Sequence, residues 1–93
     1  MAKQHLNLAV RYVNSSSVTE MARKAAEVAK SLREDLEYLR ETMLASGVGV
    51  AQDLLAISEL ATQLEHSEEL LNTCEKAGRK VSREMRAQLT EIA

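Results

Sequence analysis

Between Val18 and Met43 one apolar column recurs without a break. Val18, Ala22, Ala25, Ala29, Leu32, Leu36, Leu39 and Met43 are spaced 4-3-4-3-4-3-4, the repeat of a helix that winds against another helix. A strand cannot use that spacing, because its successive side chains alternate between two faces. Met21 and Val28 widen the column on one side, and Glu20–Lys24, Arg23–Glu27, Lys30–Glu34 and Arg33–Glu37 place opposite charges at i,i+4 outside it, where such pairs support a helix weakly. Ser17-Val18-Thr19-Glu20 fits a capping box at the start. A helix is predicted over about 18–46.

Ser46-Gly47-Val48-Gly49-Val50 then interrupts the pattern. Gly47 can take the left-handed conformation that ends a helix, with Val48 folding back toward Met43, and Gly49 can cap the next helix with Asp53 in its first turn. A turn over 47–49 is short enough to force the flanking helices antiparallel. The second helix is predicted over about 50–90 from Leu54, Ile57, Ala61 and Leu64, then Leu71, Cys74, Gly78, Val81, Met85, Leu89 and Ile92, with a slip of phase near Ser67. Residues 2–14 are ambiguous. Leu6, Val10 and Val13 fit a helix face; Leu6, Leu8, Val10 and Tyr12 fit a strand.

The expected fold is therefore all-α, one domain over residues 1–93, an antiparallel hairpin with a short N-terminal segment. With residue i opposite about 96 − i, Leu36 would face Leu60 and Leu32 would face Leu64. One seam does not use all the apolar surface, since Leu55, Leu60 and Leu70 lie beside it. Completion into a four-helix bundle or coiled coil, by a second copy or a protein partner, is the expectation.

Composition agrees. The chain has no proline, tryptophan or phenylalanine and only two tyrosines, so its core must come from Leu, Ala, Val, Met and Ile. The single cysteine, Cys74, cannot close an intramolecular disulfide. No apolar run approaches the length of a membrane span, and the first ten residues do not read as a signal peptide. A cytoplasmic location is the expectation, although signal-less secretion would leave no trace.

Charge is segregated. Residues 1–40 carry seven Lys/Arg and five Asp/Glu; residues 41–75 carry seven acids and no Lys or Arg; residues 76–93 carry five bases and two acids. Lys76, Arg79, Arg83 and Arg86, spaced 3-4-3, form a basic stripe, and Val81, Met85 and Leu89 lie on the same helix. These seven residues are the expected partner-binding surface: charge would set encounter with an acidic helix and apolar contact its residence.

No catalytic, metal or cofactor motif is present, and no enzyme is expected. His66 with Glu69 supplies two ligands at most, and Gln63 occupies the position that Glu holds in the Glu-x-x-His of di-iron bundles. An exposed His66 resembles the phosphoacceptor of histidine phosphotransfer bundles, but its flanks, Glu65, Glu68 and Glu69, are acidic and would repel an incoming phosphoryl group. Lys3, His5, Asn7 and Arg11 on one face of a short strand, followed by two helices, resemble the order in ribbon-helix-helix repressors, which implies a small dimeric DNA-binding regulator using the N-terminal segment. The first helix is much longer than that family's. Length and the central glycine turn are similar to the small helical hairpins of bacterial secretion systems, secreted hairpins and chaperones. The Trp-x-Gly motif of the secreted class is missing, and no family is assigned. The leading expectation is a non-catalytic helical adaptor, chaperone or small assembly subunit acting through coiled-coil contacts.

Overall fold

The computed structural model describes residues 2–92, with side chains described from Leu6 to Glu91. It is an antiparallel hairpin of two helices, α1 (Ala2–Ser46) and α2 (Ala51–Ile92). The N-terminal ambiguity resolves to helix: residues 2–14 are the beginning of α1. The strand required by the ribbon-helix-helix comparison does not form. The predicted start at Val18 is corrected too. Ser15 and Thr19 lie mid-helix and turn their hydroxyls back onto the Tyr12 and Ser15 carbonyls, each at 2.9 Å, so these polar residues need not end the helix.

The turn follows the glycines. Gly47 has φ +68°, and the Val48 N–H donates to the Met43 carbonyl at 3.1 Å, the six-to-one bond of a Schellman motif. Val50, rather than Gly49, starts the second helix: its carbonyl accepts from the N–H groups of Asp53 and Leu54. Asp53 lies in the first turn as expected.

The hairpin comprises two compact units. The turn end contains Ala25–Leu70; the open end contains residues up to Lys24 and those from Leu71. In the turn end, Ala29 is buried, while Ala26, Arg33, Leu36 and Met43 on α1 and Leu54, Ile57, Ala61, Leu64 and Glu68 on α2 are half-buried. In the open end, Ser15, Ala22, Gly78 and Met85 are buried and Tyr12, Thr19, Leu71, Glu75 and Ser82 are half-buried.

This burial corrects the seam. The row Ala22, Ala29, Leu36, Met43 faces inward as predicted. Its companion row is Thr19, Ala26 and Arg33, not Val18, Ala25, Leu32 and Leu39, all of which are exposed. Two heptad columns share the first row, and the sequence suits both. α2 decides between them because it carries Glu68 and Ser82 at its own inward positions, where they meet Arg33 and Ser15. The half-buried positions 64, 68, 71 and 75 of α2 keep 4-3-4 spacing, so no slip occurs at Ser67. The register itself holds to within one residue: Ser15 meets Ser82 and Gly78 packs on Thr19. Leu60 and Leu32 are both exposed, so neither makes the seam contact expected of it.

Candidate interaction surface

At the open end the helices approach closely because Gly78 has no side chain. A Cβ there would lie 3.0 Å from the Ser15 carbonyl oxygen and clash with Thr19 Oγ1. Beside this contact the hydroxyls of Ser15 and Ser82 share a hydrogen bond of 2.7 Å. Ser15 also donates to Tyr12 O, so the Ser82 hydroxyl donates across the seam. This small, satisfied polar contact separates two flanks of different chemistry.

One flank is basic. Lys76, Arg79 and Arg83 line an open recess of about 460 Å³ with Ser16, Thr19 and Ser82. Arg79 pairs with Glu75 one turn back on α2. Lys76, Arg83 and Arg86 are exposed and have no ion-pair partner among the described residues. The α1 side of the recess offers only hydroxyls, Ser16 and Thr19, and no acid to offset Lys76 and Arg83.

The other flank is apolar. Val18, Cys74, Ala77 and Val81 line a groove of about 290 Å³, floored by Ser15 and Gly78. It shares no lining residue with the basic recess. The expected surface therefore divides. Its four bases are exposed, and Val81 lines the groove on the opposite flank. Met85, only 3% exposed, belongs to the core and is inaccessible to a partner. Leu89 is half-buried. The basic edge does not border the apolar groove, because positions 79 and 83 fall on one side of the inward row 78, 82, 85 and positions 74, 77 and 81 on the other.

Sequence reasoning missed the groove residues Val18 and Ala77 because it assigned Val18 to the internal seam. The available signal was the polar residues Ser15, Thr19 and Arg33 on the two inward rows of α1, since Ser82 and Glu68, the partners of Ser15 and Arg33, occur at matching heptad positions of α2.

In the turn end the exposed apolar side chains include Val28, Leu32, Leu39 and Leu44 on α1 and Leu55, Leu60 and Leu70 on α2. Arg33 crosses the seam there to Glu68, Nε to Oε2 at 2.6 Å, and also holds Glu37 at 3.2 Å. The hydrogen bond from Arg33 holds the Glu68 carboxyl below the ordinary carboxylate range, assisted by the charges of Arg33 and Lys30. His66 is exposed on a shallow recess shared with Glu59. No group of three or more His, Cys, Asp or Glu side chains among the described residues is arranged to hold a metal ion. No described helix is long and apolar enough to cross a membrane. No protein family, characterised protein or solved structure matches this chain.

Proposed function

We propose that this chain is a non-catalytic helical interaction module, an adaptor, chaperone or small assembly subunit, that seats a helix of another protein on its apolar flank. The observation that carries the reading is the second heptad column of α1. Val18, Leu32 and Leu39 are 46–49% exposed, and Met21 and Val28 are 65% and 67% exposed. Together with the inward row Ala22, Ala29, Leu36 they give α1 two adjacent seams, the pattern of a helix with two helical neighbours. The hairpin supplies one neighbour. Leaving large side chains at heptad spacing in water forgoes about 25 cal/mol per Å² of apolar area, and a partner helix recovers that term. Partner helices in such grooves present their own anchors at i, i+3, i+4 and i+7. The basic row is a second, electrostatic surface of the same module, and the reading places the module in the cytoplasm, in keeping with its one unpaired thiol.

The test uses the full chain as bait in an extract of its own organism, beside the Leu32→Asp variant. Retained helicity with loss of the protein that co-elutes with the wild type supports the reading. Equal recovery by both would sink it.

A further inference from the structure

We propose that the basic row of the open end binds the phosphodiester backbone of duplex DNA, without reading its sequence. This rests on the interaction-module reading and names the ligand of its second surface.

Charge divides along the boundary between the two compact units. The open-end unit carries nine Lys/Arg and four Asp/Glu, net +5, and the turn-end unit carries three and ten, net −7. Within the open end, Lys76, Arg79, Arg83 and Arg86 occupy about 15 Å of α2 and roughly a quarter of its circumference. All four are exposed. Of these, only Arg79 has an acidic partner among the described residues, Glu75. A guanidinium has five donors, so Arg79 can hold Glu75 and a phosphate oxygen together. The recess lined by Lys76, Arg79 and Arg83 also presents the hydroxyls of Ser16, Thr19 and Ser82. Ser16 Oγ stands 3.4 Å from Ser82 Oγ, long for a hydroxyl pair, so its proton is free to bond a phosphate oxygen. Lys, Arg and Ser side chains are those that hold a protein on a phosphate backbone.

Other acidic partners fit this surface less well. An amphipathic acidic helix needs apolar pockets for its anchors, and stable anchoring of a basic patch to an anionic membrane takes an apolar insertion as well. The exposed large apolar side chains described in the open end, Leu6, Val10, Val13, Val18 and Met21, all belong to α1, and none of them lines the recess. Single strands and RNA loops are gripped by aromatic stacking, and no aromatic side chain lines it either. Duplex DNA requires neither. It carries one charge per roughly 1.7 Å of its axis, so about nine lie alongside a row of this length. With four bases and no base-edge contact, the binding is non-specific and steeply salt-dependent.

Fluorescence anisotropy of a labelled DNA duplex of about 20 base pairs, titrated with the full chain at about 25–200 mM NaCl, reads the contact. The slope of log K against log salt should be about −3 to −4, as expected for about three to four neutralised phosphates. Duplexes of unrelated sequence should give the same value. Lys76→Gln and Arg83→Gln should each weaken binding about tenfold at low salt and reduce the slope by about one. Arg83→Lys keeps the charge and should keep the slope. Arg40→Gln removes an exposed base of the turn-end unit and should change neither quantity. Circular dichroism should be the same for all these chains. Absence of binding at the lowest salt, a slope that both Gln variants leave unchanged, or an equal loss from Arg40→Gln overturns the proposal. Tighter binding to duplex RNA or to phosphatidylserine vesicles overturns it as well. If DNA binding fails while Leu32→Asp still abolishes partner capture, the interaction-module reading stands without it.

Discussion

Arg33 on α1 reaches Glu68 on α2 with its Nε 2.6 Å from Oε2, at two positions where a hairpin seam ordinarily carries apolar side chains. Both side chains are partly shielded, with 22% and 14% of their surface exposed. The pair fixes which face of α1 turns inward in the turn end, since rotating α1 to bury Leu32 would withdraw Arg33 from Glu68.

The first prediction is a pH dependence. Glu68 titrates lower in the folded chain than the usual 4.5 because Arg33 bonds its charged form. A depressed carboxyl adds stability that is complete above the unfolded value and is lost as pH falls through the folded one. Glu68→Gln should lower the melting temperature near neutrality, and the gap from wild type should shrink by about pH 3. Thermal melts at both pH values check this; a constant gap would show that the charge of the pair is immaterial.

Gly78→Ala tests the close approach. Alanine in an exposed helix interior is favoured over glycine by about 1 kcal/mol. Here the new Cβ meets Thr19 and the Ser15 carbonyl, and overpacking of this kind costs about 1–3 kcal/mol. Denaturant unfolding should show a net loss. Thr19→Ala in the same chain should recover part of it, because it removes the nearest atom but not the carbonyl.

The seam phase is tested by two aspartates. Leu36 is half-buried on the inward row, whereas Leu32 is 46% exposed. Leu36→Asp should cost about 3 kcal/mol by placing an unpaired charge in the seam. Leu32→Asp, in dilute protein without a partner, should change stability by no more than about 0.5 kcal/mol. Equal losses in chemical unfolding would restore the seam through Leu32.

At the turn, Gly47 has φ +68° with open space around it. Gly47→Ala should cost about 1–2 kcal/mol, from backbone strain alone. Gly47→Asn should cost less, because Asn visits this region more readily. The comparison by thermal melt separates strain from crowding.

The heptad spacing from Val18 to Met43, the absence of proline and the pair Gly47, Gly49 determined, without any tertiary information, that this chain is a helical hairpin, where it turns, and its register to within one residue. Those features act locally: spacing sets a face, and a left-handed glycine ends a helix. The charge blocks were legible for the same reason. Local pattern did not determine which of two overlapping columns on α1 faces inward, because Ala22, Ala29, Leu36 and Met43 serve both. Nor did it show that residues 2–14 continue α1, because a short stretch of mixed pattern suits helix and strand alike. Tertiary structure decided these points. Glu68 and Ser82 supply partners for Arg33 and Ser15, and Gly78 lets the backbones close. A polar row then becomes the seam, and Val18 and Leu32 are left facing water.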